Sequence, residues 1–390
     1  MNLKNGYAFK SVYFQDEYSD VLVVTPGSVK IGGGYNAGKG RYYNMNGEIP
    51  SDYVMSKGDI FITLTDLTPS AQSLGYPAII PDDKFMYLHN QRLAKVTDLT
   101  VDKYFIYQLL RLDHYHNEIA ATSSGTTVKH SSIQKIYDYI TFIPSDDEQK
   151  IVGKFFHEID KTITLLQRKI DNLKKVKKGL LQKLFPLEQS INPQVRFSGF
   201  NQDWEQRKLG DIKDVRDGTH DSPKYYDKGY PLITSKNLKE WGLDLSEVNY
   251  ISKEDYISFN KRSQVNIGDI LFGMIGTIGN PVLIVEEKFA IKNVALIKEN
   301  VNFPNIFLIQ MLKSPLFNRF IQIENAGGTQ KFISLSKIRG FKLFTPSLEE
   351  QMKIGKILRD ADKTITLLQK ELEMNNQIKK GFLQKLFPKE

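Results

Sequence analysis

The sequence predicts an α+β protein: two strand-rich mixed domains, each followed by a long α-helix, with the two helices paired. Three observations carry this. One segment returns almost unchanged 202 residues later. Both copies hold a proline-free stretch with apolar residues at heptad spacing. Elsewhere, short β-branched runs alternate with Gly, Pro, Asn and Asp, the pattern of strands and turns.

An internal repeat of about 200 residues sets the layout of the whole fold. Asp160–Pro186 reappears as Asp362–Pro388 with 17 of 27 positions identical and no gap. The same offset carries Pro144-Ser145 onto Pro346-Ser347, Glu148-Gln149 onto Glu350-Gln351, and Gly153-Lys154 onto Gly355-Lys356. Further upstream only landmarks survive, such as Gly58-Asp59-Ile60 beside Gly268-Asp269-Ile270, and Asn5-Gly6 beside Asp217-Gly218. The expected layout is a first variable domain at 1–145, a first helix at 146–186 and a linker at 187–195. A second variable domain follows at 196–347 and a second helix at 348–390.

In the variable domains, Val21–Thr25, Ile60–Leu64, Leu232–Thr234, Ile270–Phe272 and Val282–Val285 read as strands, and Lys103–Leu112 and Asn305–Asn325 as helices. In the first long helix Ile159, Ile163, Leu166, Ile170 and Leu173 recur at spacings of 4, 3, 4 and 3. Val176, Leu180 and Leu184 continue the stripe after one skip. The second copy places Ala361, Ile365, Leu368, Leu372, Asn375, Ile378, Phe382 and Leu386 at the same positions. Ser145 and Ser347 are the expected N-caps, and Pro186 and Pro388 the stops. About 38 residues at ~1.5 Å each give ~57 Å of helix. A helix that long with one narrow apolar stripe calls for a partner helix.

Composition bounds the chemistry. With 41% hydrophobic and 25% charged residues the chain is folded rather than disordered. No cysteine is present, which excludes disulfides, thiolate metal sites and a cysteine nucleophile. No apolar run approaches the ~18 residues of a membrane helix, and the start has no signal-peptide core. The expectation is a cytoplasmic protein without membrane contact. A net charge of +8 permits a nucleic-acid partner without requiring one.

No enzyme motif stands out. A phosphate-binding Gly-x-x-x-x-Gly-Lys-Ser/Thr loop is absent, as is an Asn/Asp-Pro-Pro-aromatic methyltransferase motif. The alternative is a free-standing metal-dependent nuclease. It would use Asp59 with Asp82-Asp83-Lys84, or Asp269 with Glu286-Glu287-Lys288, at a spacing that also arises by chance. Asp113-His114-Tyr115-His116 has no zinc-type partner set, so no metal site is expected.

The second unit opens with Val195-Arg-Phe-Ser-Gly-Phe and Trp204-Glu-Gln-Arg-Lys-Leu-Gly210. The two variable domains close with Ser124-Gly-Thr-Thr and Gly327-Gly-Thr-Gln, then Pro144-Ser-Asp-Asp-Glu-Gln149 and Pro346-Ser-Leu-Glu-Glu-Gln351. Each leads into a long helix that ends in Gln-Lys-Leu-Phe-Pro. Over nearly the whole chain this pattern resembles the DNA-specificity subunit of type I restriction–modification systems. The resemblance implies two target recognition domains, each reading half of a split sequence in double-stranded DNA. It implies helices that form a spacer and dock two modification (methyltransferase) subunits, joined by restriction subunits. It implies no catalysis by this chain: S-adenosylmethionine, ATP and magnesium would sit on the partner subunits, which methylate adenine and cleave DNA. One departure is that only four residues precede Asn5-Gly6, so the leader of the first unit is short or missing and the packing of that domain is expected to differ.

A tandem repeat that matches the two-fold axis of DNA needs its helices antiparallel, a coiled coil of pseudo-two-fold symmetry whose length sets the gap between half-sites. Glycine-rich and basic loops are the candidate readers. In the first domain these are Lys30, Tyr35, Asn36, Lys39 and Arg41, with Thr126, Thr127 and Lys129. In the second they are Thr219, His220 and Lys224; Ser235, Lys236 and Asn237; and Thr329, Gln330 and Lys331. The Lys174–Lys178 run reads as a partner-docking or solvated face, because Glu371 and Glu373 dilute the charge in the second copy.

Overall fold

The computed structural model describes residues 1–187, 190–324 and 332–387. The chain divides into two compact units, Met1–Leu165 with Leu372–Glu390, and Leu166–Glu371. Each unit therefore combines a variable domain with a part of both long helices, Asp146–Lys183 and Leu348–Leu386.

The first unit holds a four-stranded antiparallel sheet in the order 2–5, 93–97, 60–63, 77–79. A five-stranded sheet runs 14–15, 41–43, 21–24, 86–89, 54–55, with Val21–Val24 parallel to Met86–His89. The second unit repeats the plan. Its four-stranded sheet is 215–217, 294–297, 270–273, 279–283, and Tyr230–Ile233 pairs in parallel with Ala290–Ile291. Val21–Val24, Ile60–Thr63 and Ile270–Gly273 form where β-branched runs predict them and are buried throughout, on both faces; the expected strand at 282–285 lies earlier, at Gly279–Leu283, and Val285 is exposed. The expected helix over 305–325 is two helices, Asn305–Leu312 and Pro315–Glu324. Pro315 lacks the N–H that a continuous helix would need there.

The sequence landmarks mark equivalent backbone. The N–H of Tyr7 donates to His89 O and that of Thr219 to Ile291 O, at 2.8 and 2.9 Å. A Cβ on Gly6 would lie 2.1 Å from Asn90 O, and one on Gly218 2.4 Å from Ile291 O, so only glycine admits either crossing. The shared Gly-Asp-Ile is structural too. Asp59 accepts from Ser56 N–H and pairs with Lys95; Asp269 accepts from the N–H of Asn266 and Glu299 and pairs with Lys298. Asp269 is 1% exposed. These carboxylates hold their own turns, and nothing in the structure supports the nuclease alternative that used them as metal ligands. Of the paired histidines, His116 is structural: it stacks on Tyr76 at 4.2 Å and bonds Leu74 O.

Within each unit the two helix segments run antiparallel. In the first, Phe155 meets Phe382 at 4.9 Å, and Asp160 pairs with Lys379. In the second, Lys177 pairs with Asp362, while Leu184 and Phe185 share a core with Ile354 and Leu358. Leu166, Ile170, Ile365 and Leu368 of the seam are buried. Ile159, Ile163, Leu173 and Leu372 are half-buried. Ile378 departs from the expected seam, at 42% exposed, as does Val176 at 58%. Each lies close to a lysine, Lys379 or Lys177, whose long stem and charge enter the helix contact instead.

The repeated helix glycines have a packing role. A Cβ on Gly153 would lie 2.2 Å from Asp102 Oδ1 and 2.6 Å from Phe105 N; one on Gly355 would lie 3.0 Å from Ile306 C. Each glycine lets the short helix Lys103–Leu109 or Asn305–Leu312 rest on the long helix.

Candidate nucleic-acid interface

In the first unit, residues 27–40 form a loop after the strand Val21–Val24. A capping box opens it: Thr25 N–H donates to Ser28 Oγ, and the Thr25 side chain accepts in return. Gly32, Gly33, Gly34 and Gly38 all have positive φ, from 75° to 101°, a backbone that bulkier residues adopt only with strain. Arg111 anchors the loop. Its Nε donates to Gly32 O at 2.9 Å and its Nη1 to Asp160 of the long helix at 2.7 Å. Lys30, Lys39 and Arg41 are exposed, and Arg41 lies over the Phe14 ring at 4.4 Å. Tyr35 and Asn36 serve the loop itself. Tyr35 packs edge-on against Tyr87 and bonds its hydroxyl, and Asn36 Nδ2 donates to Gly27 O at 3.1 Å. Burial raises the Tyr35 phenol above its ordinary pKa. Thr126 and Thr127 are exposed, and half-buried Lys129 lies in a two-residue strand against Thr65–Asp66.

In the second unit the equivalent turn is Thr234–Asn237, again a capping box. Here Asn237 is not a base reader. It is 5% exposed and uses its whole amide internally. Its Oδ1 accepts from Thr234 N and Oγ1, and its Nδ2 donates to Asp244 O and Glu247 O at 3.0 and 3.1 Å. Ser235, 6% exposed, also faces inward, toward Asn293 O. Lys236 alone of the three is exposed. Next to it, Leu238–Lys239 and Gly242–Leu243 form a two-residue hairpin. Trp241 at its tip is 71% exposed.

Thr219 is half-buried and exchanges hydrogen bonds with Asp221. His220 is exposed, with Nδ1 2.7 Å from Asn293 Oδ1 and Nε2 3.1 Å from Asp217, which also pairs with Arg262. The hydrogen bond to Asn293, and then that to Asp217, raise the imidazole pKa above its ordinary value. Lys224 is exposed and lies 5.7 Å from the Tyr226 ring; Tyr225 and Tyr226 are about half exposed. Thr329, Gln330 and Lys331 lie outside the described residues. The exposed lysines of this surface suit phosphate neutralisation. Trp241, Tyr225 and Tyr226 were missed in the sequence reading, although an aromatic between Lys-Glu and Gly after an apolar strand is a usable turn signal.

A second set of missed residues ties the short helices to the long ones. Asp160 accepts from Gln108 at 2.6 Å, from Arg111 and from Lys379. Asp362 accepts from Gln310 at 3.2 Å and from Lys177. The 202-residue offset relates Gln108 to Gln310, Asp160 to Asp362 and Lys177 to Lys379. Lys313 stands at the position of Arg111. Burial lowers its pKa, partly offset by Asp362.

The profile of the type I restriction modification DNA specificity domain matches residues 29–175 and 201–380. The MjaVIII specificity subunit of Methanocaldococcus jannaschii is 23% identical over 75% of this chain and 71% of its own length. The EcoBI specificity subunit of Escherichia coli is 25% identical over 90% of this chain and 75% of its own. The crystal structure of a type I restriction–modification S subunit from M. genitalium superposes with a TM-score of 0.67 and 17% identity, covering 100% of this chain and 94% of that one. With the profile covering most of both repeats, the chain belongs to the type I restriction–modification DNA specificity family.

Proposed function

We propose that this non-catalytic specificity subunit reads a bipartite double-stranded DNA target, one half with each variable domain, and docks two modification subunits through its spacer helices. One observation carries the reading. The ion pairs that join the helices keep the 202-residue register, Asp160 with Lys379 and Lys177 with Asp362, while the loops of the two variable domains differ. Sameness in the helices suits two copies of one protein partner. Difference in the loops suits two unlike half-sites: glycines with Lys30, Lys39 and Arg41 in one domain, Lys224, Lys236 and Trp241 in the other.

On this reading the assembled complex is cytoplasmic. S-adenosylmethionine for adenine methylation is carried by the modification subunits, and ATP and magnesium for cleavage by restriction subunits. Among the described residues, no helix is long and apolar enough to cross a membrane. Methylation-sensitive genome sequencing of a host that carries the system tests the proposal, together with the mass of the purified complex. The expected result is an interrupted motif and two modification subunits per chain. A continuous motif, or plasmid cleavage by this chain alone with magnesium, would contradict it.

A further inference from the structure

One arginine joins the glycine loop of the first unit to the long helices. The turn Lys30–Gly34 closes on itself: Gly33 N–H donates to Lys30 O and Lys30 N–H to Gly34 O, both at 2.9 Å. Gly34 N–H donates to Pro77 O at 2.8 Å, which ties one end of the turn to the four-stranded sheet. At the tip, the Gly32 carbonyl accepts from Arg111 Nε at 2.9 Å. Beside it Lys30 and Ile31 are exposed, Ile31 by 68%. Glycine backbones at positive φ have several conformations open to them, so this turn takes its shape from such ties.

Arg111 follows the short helix Lys103–Leu109 and reaches two ways. Its Nη1 donates to Asp160 of the first long helix at 2.7 Å, and Asp160 also accepts from Lys379 of the second. Its side chain is 18% exposed, with the guanidinium 5.2 Å from the Tyr107 ring. A Cβ on Gly33 would lie 2.7 Å from Arg111 Cγ, so the turn packs on the arginine stem as well as bonding to its head. The second unit uses the same position. Burial lowers the Lys313 pKa, and Asp362 and then Glu240 oppose it. Glu240 lies in the hairpin that follows the Thr234–Asn237 turn. In both units, then, the basic side chain after the short helix is shared by a carboxylate of a long helix and the loop after the capping box.

We propose that Arg111 is a positioning residue for sequence reading: it sets the Lys30–Gly34 turn at a fixed place on the long helices, so that the base contacts of the first domain keep their register with the gap, and it does not touch DNA itself. The inference rests on the reading of this loop as a DNA reader. Donors at fixed places on one rigid plane hold a carbonyl and a carboxylate at the same time. A lysine ammonium in place of Arg111, a single point of charge, keeps the carboxylate and releases the carbonyl.

The test measures binding of the full chain, assembled with its modification subunits, to duplexes randomised in both half-sites, at two salt concentrations. The variants are Arg111→Lys, Arg111→Met and Gly33→Ala, each checked for a cooperative thermal melt. Each should lose about tenfold in discrimination at one half-site, within the range of one misplaced base contact, and leave the other half-site unchanged. The salt slope of Arg111→Met should equal that of the native complex, whereas removal of a direct phosphate contact lowers it by about one. Lys30→Ala with Lys39→Ala reports on the loop itself and should weaken binding to all sequences. If that pair weakens binding while the Arg111 and Gly33 variants keep the native preferences, the positioning role is refuted and DNA contact by the loop stands. If the pair changes nothing either, the loop does not meet DNA and both readings fall. A slope lowered by about one in Arg111→Met makes the arginine a phosphate contact and overturns the proposal. Equal losses in both half-sites overturn it too, because they mark general damage to the fold.

Discussion

Lys379 donates to Asp160 in the first unit, and Lys177 donates to Asp362 in the second; each residue stands 202 positions from its counterpart. Burial pushes the Asp160 carboxyl up, but Arg111 and Lys379 together outweigh burial and hold it below the ordinary aspartate value of 3.8. A depressed aspartate contributes stability above its unfolded pKa and loses it as pH falls through the folded one. Asp160→Asn should therefore cost about 1–3 kcal/mol at pH 7, since Arg111 and Lys379 lose their counter-ion in a partly buried site. The difference from the native chain should shrink as pH drops below about 4. Thermal melts of both proteins from pH 7 to pH 3 measure it. A constant difference would show that the carboxylate charge is not the source.

The two helix glycines should respond unequally to a methyl group. Alanine in place of glycine inside a helix gains about 1 kcal/mol of propensity. At Gly355 the added Cβ would be 3.0 Å from its nearest neighbour, and a shift of a few tenths of an ångström relieves it. At Gly153 it would be 2.2 Å from the carboxylate that caps the Lys103–Leu109 helix. Gly355→Ala should stay within about 1 kcal/mol of the native chain. Gly153→Ala should lose about 1–3 kcal/mol by overpacking and loss of the cap. Urea midpoints compare them directly, and equal midpoints would refute the packing argument.

Asn237 and Lys236 are neighbours with opposite roles. Asn237→Ala should destabilise the second unit by about 1–3 kcal/mol, because it removes the four hydrogen bonds by which the buried amide holds Thr234, Asp244 and Glu247. Lys236→Ala should leave stability within about 0.5 kcal/mol and lower the salt slope of DNA binding by about one. Chemical denaturation and binding at two salt concentrations separate the two. If Asn237→Ala keeps native stability yet relaxes one base position, the internal role assigned to it fails.

His220 gives the second unit a pH-dependent charge. Its hydrogen bonds to Asn293 and Asp217 raise its pKa, with Arg262 opposing. The imidazolium is the form present below the raised value. DNA affinity should therefore fall as pH rises through that value, above the ordinary 6.5. His220→Gln should flatten this part of the pH profile. An unchanged profile in the variant would place the titrating group elsewhere.

The repeat made the helices legible: their starts after Ser145 and Ser347 and most of the seam follow from spacing, while the helices end at Lys183 and Leu386, short of the expected stops, and the main strands follow from β-branched runs buried on both faces. The helix-to-domain clusters were also written in the sequence. Gln108 and Gln310 stand at the same offset as the helices, but the residues around them have diverged. Asn237 misled for a physical reason. An asparagine in a polar turn can face outward to a base or inward to its own backbone, and only the turn geometry decides. A chemical divergence explains one buried orphan. Gln149 Oε1 accepts from Asp102 N–H, whereas at the equivalent position Pro304 has no N–H, and among the described residues Gln351 Oε1 is left without a partner.

The most direct test of the account exchanges residues 213–340 for the matching region of another specificity subunit, keeping both long helices and the Arg196–Lys208 segment. The methylated sites of a host carrying the hybrid are then read across its genome. The account predicts that one half of the interrupted motif changes while the other half and the gap between them stay the same. A motif unchanged in both halves, or changed in both, would contradict the assignment of one half-site to each variable domain.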